Sequence, residues 1–342
     1  MNIERNGLIE LYRFIFIIMI MSMHFLLAYY QKTSAEVILG GGYICVEFFF
    51  VLTGFFLGKW AQDPRQRSIT SLLFKYLRKL YPLYLFTTIL AIGHLLVTDA
   101  QYHINLFDII ANVVLLSPYR AMPNAPAWFF CAMIWILPLL CYLLKHYSKL
   151  MYAISPYICL VIYSMIYMDI HHLDVWWQWG YLSIPIAFFR AAADMLMGVI
   201  LYAINYYIDL NSVTIRPNFI VICEIIIFLV LIKMMVSPGH NELDFCAPLL
   251  FMLLILFAFM MPERILKKFQ HKCLYSLGKL SVVLFLSHFT IMKIVLQLAR
   301  GGVIEKIFTF ILCSVLWSMA LSLIIKKMEY YGNRLIYRFV IK

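Results

Sequence analysis

The sequence predicts an all-α fold: a polytopic bundle of about ten transmembrane helices that forms a single domain over residues 1–342, with no appended soluble domain. Of the 342 residues, 64% are apolar and only 13% are charged, and the mean hydropathy is +0.87. Soluble globular domains do not reach these values. Apolar runs long enough to cross a bilayer recur along the chain, and the basic residues concentrate in alternate connections.

Ten apolar runs predict the helices in chain order, each close to the roughly 20 residues that a membrane-spanning helix needs. They cover residues 8–29, 42–60, 80–97, 128–144, 150–168, 183–206, 219–236, 246–261, 277–296 and 304–325. A shorter segment, residues 104–116, carries Asn105, Asp108 and Asn112 at helical spacing on one side. This spacing predicts either an interfacial helix on the membrane surface or a helix packed on the bundle.

The distribution of charge predicts the orientation of the bundle. Residues 59–79 hold six Lys or Arg and residues 262–279 hold five, whereas residues 98–127, 168–182 and 237–245 hold one between them. By the positive-inside rule the first two connections face the cytoplasm, and so do both termini. The net charge of +11 therefore reflects the orientation of the helices in the membrane. Membrane lipids are the predicted surroundings of the chain, and no nucleic-acid partner is predicted.

Neither the cysteines nor the histidines predict a metal site. The eight cysteines are scattered through apolar segments without a Cys-x-x-Cys pair, so no zinc site and no disulfide framework is expected. The connection "HHLDVWWQWG", residues 171–180, has two histidines and an aspartate. Adjacent histidines diverge, and an exposed loop gives them no rigid frame, so no metal is predicted there either.

Two ionisable side chains in the first predicted helix are the strongest functional signal. Arg13 and His24 are eleven residues apart, which places them on one helix face about 16 Å apart along the axis. Ionisable side chains are costly in hydrocarbon and usually mark functional sites. Glu47, in the second helix, lies at a depth similar to that of His24, so a contact between imidazole and carboxylate is predicted. The alternative is a neutral His24 hydrogen-bonded between helices.

Glycines accompany the carboxylate of the second helix. Gly54 and Gly58 share a face with Glu47, because steps of seven and eleven residues nearly complete whole turns. Glycine lacks a Cβ atom and so allows another backbone, or a ligand, to come close.

Two later helices also carry paired polar residues. Ser281 and His288 share a face in the ninth helix, and Arg190 and Asp194 in the sixth helix are four residues apart. At this spacing the arginine and the aspartate can neutralise each other.

The first two helices carry motifs that resemble those of acyltransferase family 3, integral-membrane acyltransferases of bacterial polysaccharides and other surface molecules. The segment "IELYRFIFIIMIMSMH" is similar to the family motif through Glu10, Arg13 and His24. In "VEFFFVLTGFFLG", Glu47, the aromatic run and residues 53–55 match an acidic, aromatic and Ser/Thr-Gly-Phe pattern. This second match gives Thr53 and Gly54 their place among the candidate residues.

Further segments extend the resemblance over most of the chain. "KYLRKLYPLY" looks like the family's basic Tyr-Pro segment, with Lys75, Arg78 and Tyr81 at corresponding positions, although arginine is expected more often where Lys75 stands. Weaker similarities involve Trp128, Arg190, Ser281 and His288. Met133 stands where some members carry a glutamate, so a role of that glutamate cannot be assumed.

The resemblance implies a membrane O-acyltransferase of the bacterial cytoplasmic membrane. Its donor would be acyl-coenzyme A, most simply acetyl-coenzyme A, and its acceptor a hydroxyl of a surface polysaccharide or a lipid-linked sugar. Coenzyme A phosphates would meet a basic group of Arg13, Lys75, Arg78, Lys79 and the neighbouring Tyr81. No permanently bound cofactor is expected.

The catalytic set that the resemblance implies is His24, Glu47 and Arg13. His24 would act as general base in a direct transfer, with Glu47 orienting its imidazole; a covalent acyl-histidine intermediate is the alternative route. Thr53 or Ser281 would stabilise the oxyanion or bond a helix carbonyl instead. The alternative functions are a transporter or flippase for a glycan or lipid precursor, and a membrane scaffold without catalysis.

Overall fold

The computed structural model describes residues 6–63, 68–119, 122–175, 178, 180, 183–211 and 215–340, and it is helical throughout its regular elements. Among these residues, nine helical stretches are long and apolar enough to span a membrane. All-α architecture is thereby confirmed. The helices are α1 (Gly7–Tyr30), α2 (Cys45–Gln62), α3 (Ile69–Thr98), α4 (Leu106–Val113), α5 (Trp128–Ile170), α6 (Ile186–Leu210), α7 (Pro217–Val236), α8 (Ala247–Met260), α9 (Glu263–Leu266), α10 (Lys272–Leu298) and α11 (Val303–Val340).

The difference between ten predicted segments and nine helices lies in α5. Its backbone leaves helical geometry at Tyr147, between the predicted fourth and fifth segments. The Trp128 ring lies 5.3 Å from the guanidinium carbon of Arg190, while Tyr163 donates to Asp194, one turn along the same helix, at 2.5 Å. A straight helix would separate Trp128 from Tyr163 by about 52 Å. Helix α5 is therefore bent back on itself, and its two halves correspond to two predicted segments.

Helix α4, within the segment 104–116, packs its polar side on the bundle. The side chain of Asn105 accepts from the Asp108 N–H at 2.9 Å and caps the helix. Asp108 and Asn112 are buried, and Tyr84 of α3 donates to the Asn112 carbonyl at 2.8 Å. Phe107 points outward on the opposite face, so the polar side of α4, rather than its apolar side, meets the protein.

Close contact between α2 and α6 positions the central polar residues. A Cβ atom added at Gly54 would lie 1.9 Å from the Met195 carbonyl oxygen, and one added at Gly198 would lie 2.0 Å from the Val51 carbonyl oxygen. The glycines therefore permit backbone-to-backbone packing of two helices, as small residues do in membrane bundles. Glu47 lies about two turns before Gly54 on α2, and the close contact brings it within reach of α6.

Replacing Gly54 by alanine is expected to lower the free energy of unfolding by about 1–3 kcal/mol, because the facing atom is a backbone oxygen that cannot rotate away. Thermal unfolding of the protein in detergent, followed by size-exclusion chromatography, measures the effect. The matched control is Gly93→Ala on α3, where the added methyl group meets nothing within 4 Å. Equal melting temperatures for the two variants would contradict this account of the α2–α6 contact.

The remaining helices complete a bundle with a cavity at one end. Helix α1 packs along α10, α10 along α11, α6 along α5, and α7 along α8. A cavity of about 350 Å³ lies between α1, α5, α6 and α10. It faces the end of the bundle that carries the α1–α2, α5–α6 and α7–α8 connections, which is called the loop end below.

Candidate active site

The cavity combines apolar walls with a few polar groups. His24 of α1, Trp128 of α5, Arg190 of α6 and Phe289 of α10 line its inner part. Thr33, Ser34, Asp174 and His240, from the three connections, line it at the loop end. Ligand cavities are typically of this size and character, with apolar walls and a small number of convergent polar groups.

His24 is the ionisable group on the α1 side of this cavity. Its ring stacks on the His288 ring with 5.5 Å between centroids, and the Phe289 ring lies nearly perpendicular to it with 6.2 Å between centroids. Within the described part of the chain, neither ring nitrogen of His24 makes a hydrogen bond. The imidazole is thus held by packing, while its nitrogen atoms stay available to a ligand in the cavity.

His288 supports His24 from behind. It is completely buried, and its Nδ1 lies 2.9 Å from the Leu284 carbonyl oxygen. Because a carbonyl only accepts, the proton of His288 lies on Nδ1, and Nε2 is a bare acceptor. Nε2 has no partner among the described residues. Ser281, predicted to share this face, donates to the Gly278 carbonyl at 2.8 Å.

The predicted contact between Glu47 and His24 is wrong. Both residues are described, and the Glu47 carboxylate accepts from Arg190 instead, at 2.7 Å from Nε and 2.5 Å from Nη2. Glu47 is 0% exposed and Arg190 is 1% exposed. The reason is the close packing of α2 on α6, which turns the Glu47 face of α2 toward Arg190. The prediction considered the depth of Glu47 along its helix but not the direction in which the side chain points around it.

The expected pairing of Arg190 with Asp194 is likewise not formed. Asp194 accepts a hydrogen bond from Tyr163 at 2.5 Å, and its second oxygen has no partner in the described regions. Tyr163, and not Arg190, is therefore the direct hydrogen-bond partner of Asp194.

Arg190 organises the wall of the cavity around its guanidinium. Besides Glu47, it donates to the backbone carbonyls of Val175 and Tyr43, both at 3.3 Å. The Trp128 ring lies against it at 5.3 Å, a distance typical of a cation–π contact. The structure therefore brings the predicted residues Glu47, Trp128 and Arg190 together in one buried group beside the cavity.

Thr53 and Gly54 have structural roles. The Thr53 hydroxyl donates to the Phe49 carbonyl one turn earlier at 2.7 Å, and Gly54 contacts Met195 as described above. Like Ser281, Thr53 bonds its own helix and does not line the cavity, which is the alternative that the sequence left open.

At the opposite end of the bundle, Arg13 donates to Glu10 at 3.0 Å. Glu10 is buried against Gly278 of α10, where an added Cβ atom would lie 1.6 Å from the carboxylate. Glu10 and Arg13 are therefore held against α10, and Arg13 lies about 16 Å along α1 from His24.

The basic residues of α3 lie elsewhere on this end. Lys75, Arg78 and Lys79 are exposed. Arg78 and Tyr81 line a second, apolar groove of about 860 Å³ between α3, α4 and α5, with Trp135 on its far wall. The Tyr81 hydroxyl donates to the Val113 carbonyl at 2.7 Å. His24 does not line this groove.

The loop end of the cavity holds a cluster that the sequence did not predict. Ser34 donates to Asp174 at 2.5 Å, and His240 Nε2 lies 2.8 Å from the serine oxygen and 3.3 Å from the same aspartate oxygen. The rings of His172 and His240 are parallel, with centroids 3.8 Å apart. Residues 171–175 were predicted to form an exposed loop without a rigid frame. The structure instead holds His172 and Asp174 by these contacts. A signal was present in the recurrence of Ser, Asp and His in connections on one predicted side.

The electrostatics of this cluster favour a charged aspartate beside a neutral imidazole. Burial, and then the neighbouring His240, lower the pKa of His172 to about 4. Burial of Asp174 opposes ionisation, yet hydrogen bonds with His240 and Ser34 and the charge of Arg190 leave its pKa below the ordinary value. The described residues contain no group of three or more His, Cys, Asp or Glu side chains that could hold a metal ion.

Comparison with known proteins gives one clear result. A family model described as an acyltransferase domain matches residues 6–327, nearly the whole chain. Comparisons with curated proteins and with solved structures gave no match. The match spans every candidate residue discussed above and confirms the resemblance carried by the motifs. The chain belongs to acyltransferase family 3.

Proposed function

We propose that this membrane protein is an O-acyltransferase that transfers an acyl group, most simply acetyl, from acyl-coenzyme A to a hydroxyl of a surface glycan or its lipid-linked precursor. One observation in a chain of this family carries the proposal. The His24 imidazole lines a cavity that is large enough for an acceptor, and it has no hydrogen-bond partner among the described residues. Family membership favours this function over the transporter or flippase that the sequence also allowed.

His24 would act as general base in a direct transfer. The acceptor hydroxyl gives its proton to a ring nitrogen while its oxygen attacks the thioester carbonyl carbon. The carbon–sulfur bond then breaks, and the coenzyme A thiolate leaves and takes the proton from the imidazolium. General bases contribute about 10²–10⁴-fold when positioned in this way.

Charges that line the cavity support both the transient cation and the transient anion. Asp174 shares the cavity with His24 and takes over the stabilisation of the imidazolium that the sequence assigned to Glu47. Arg190 presents the positive charge on the same walls, and a preorganised guanidinium favours the developing oxyanion. Glu47 in turn holds Arg190 in place.

The donor would approach from the basic end of the bundle. Arg13, Lys75, Arg78 and Lys79 supply positive charge for the phosphates of coenzyme A, and the narrow pantetheine arm would follow the face of α1 from Arg13 to His24. With the orientation that the charge distribution predicts, this end faces the cytoplasm of a bacterial cell and the loop end faces outward.

Labelled acetyl-coenzyme A added to sealed membrane vesicles tests this function. Inside-out vesicles that contain the protein are expected to convert the label into an alkali-labile ester in the carbohydrate or lipid-linked fraction. Sealed right-side-out vesicles and vesicles without the protein are expected to leave it unused. Equal labelling in all three preparations would contradict acyl transfer. Transport of a glycan precursor across the vesicle membrane without formation of a labelled ester would also contradict it.

A further inference from the structure

We propose that Ser34, Asp174 and His240 form a subsite that binds a second hydroxyl of the acceptor, so that the enzyme selects uncharged polyols over simple alcohols. This inference rests on the proposed function and adds to it a binding site and a class of acceptor. The subsite lies at the loop end of the cavity whose inner wall carries His24.

The three side chains form one hydrogen-bonded group although they come from different connections. Ser34 lies between α1 and α2, Asp174 between α5 and α6, and His240 between α7 and α8. The serine hydroxyl and His240 Nε2 both contact the same oxygen of Asp174, Oδ2, at 2.5 and 3.3 Å. Three segments that are distant in sequence thus converge on one carboxylate oxygen and form a single site.

The backbone around His240 holds this group rigidly. His240 has a φ of 61°, a left-handed conformation that non-glycine residues rarely adopt. Its N–H donates to the Tyr43 hydroxyl at 2.7 Å, and Tyr43 donates to Asp244. The His172 ring stacks flat on the other side. Strained residues of this kind persist where the surroundings fix them, commonly at ligand sites.

One oxygen of Asp174 remains available. In the region that the structure describes, Oδ1 has no hydrogen-bond partner, and the side chain is 21% exposed while lining the cavity. A carboxylate oxygen is a strong acceptor for a hydroxyl group, with bonds of about 2.5–2.7 Å. The same negative charge disfavours a phosphate or carboxylate at this position, and the hydrogen-bond donor that a glycan acceptor offers there is an uncharged hydroxyl.

The walls between this subsite and His24 suit the rest of such an acceptor. Trp128 and Phe289 provide apolar faces for the carbon skeleton. One hydroxyl would then bind Asp174 while another meets the imidazole. A molecule with a single hydroxyl can satisfy only one of the two positions.

The test compares 1,2-propanediol with 1-propanol as acceptors for the purified protein in detergent, with acetyl-coenzyme A as donor. Ester formation and thiol release are measured as functions of acceptor concentration. Wild type is expected to prefer the diol. Asp174→Asn is expected to lower the rate with both acceptors, because Asp174 also stabilises the imidazolium, and in addition to reduce the ratio of diol to alcohol by about tenfold, because a neutral acceptor replaces a charged one. Asp169→Asn, an exposed carboxylate at the end of α5, is the matched control and should keep the wild-type ratio.

Ser34→Ala provides a second variant in case Asp174→Asn does not accumulate, and it should shift the ratio in the same direction. An unchanged diol preference in these variants, or no preference in wild type, would overturn the subsite while His24-dependent thiol release upheld the function. If no acceptor yields thiol release that depends on His24, the proposed function fails and this inference fails with it.

Discussion

Replacing His24 by alanine is expected to lower the rate of acyl transfer by about 10²–10⁴-fold, the contribution of a positioned general base. The imidazole lines the cavity and makes no hydrogen bond to the described residues, so its nitrogen atoms are available to accept the proton of the acceptor. Packing on His288 and Phe289 holds the ring. Thiol release from acetyl-coenzyme A by purified protein measures the loss.

Chemical rescue separates loss of the base from loss of the fold. The space left by the His24 side chain adjoins a cavity of about 350 Å³ that opens toward the loop end, so added imidazole is expected to restore part of the rate. His103→Ala is the control, since His103 is exposed. A His24→Ala protein that retains the wild-type rate would refute the assignment of the base.

The helices and the position of His24 could be predicted from the sequence because both follow from local patterns. An apolar run of sufficient length must be helical in a bilayer, and a spacing of eleven residues places Arg13 and His24 on one face whatever surrounds them. The bend of α5 at Tyr147 falls in the gap between the two apolar runs that predict the fourth and fifth segments.

The partner of Glu47 could not be predicted because periodicity gives a residue's depth but not which neighbouring helix it faces. A signal nevertheless existed: Gly54 follows Glu47 by seven residues and Gly198 follows Arg190 by eight. Two helices that each carry a charge and a glycine at this spacing fit together with both contacts formed.

The loop cluster had no periodic signal at all. Ser34 and Asp174 are separated by 140 residues, and Ser34 and His240 by 206. Only the packing of the helices decides which ends of the connections meet. Composition made the histidines of this region look like isolated surface residues, and the stacking of His172 on His240 shows the contrary.

Replacing Arg190 by alanine is expected to lower the free energy of unfolding by about 3–5 kcal/mol, the cost of leaving one partner of a buried ion pair uncompensated. Glu47 is 0% exposed, and its remaining oxygen already lacks a partner among the described residues. The variant also removes the hydrogen bonds that Arg190 donates to the carbonyls of Val175 and Tyr43. Denaturant unfolding in detergent measures the loss.

The double variant Glu47→Gln, Arg190→Ala decides whether the buried charge is the cause. Because the glutamine carries no charge, this variant is expected to unfold at a higher denaturant concentration than Arg190→Ala alone, and residues in direct contact are where such non-additivity arises. Arg264→Ala, on the exposed helix α9, should leave stability unchanged. If the double variant loses as much unfolding free energy as Glu47→Gln and Arg190→Ala lose together, Arg190 stabilises the fold through its contacts with the two backbone carbonyls and with Trp128. Glu47 would then have no part in holding the wall beside His24.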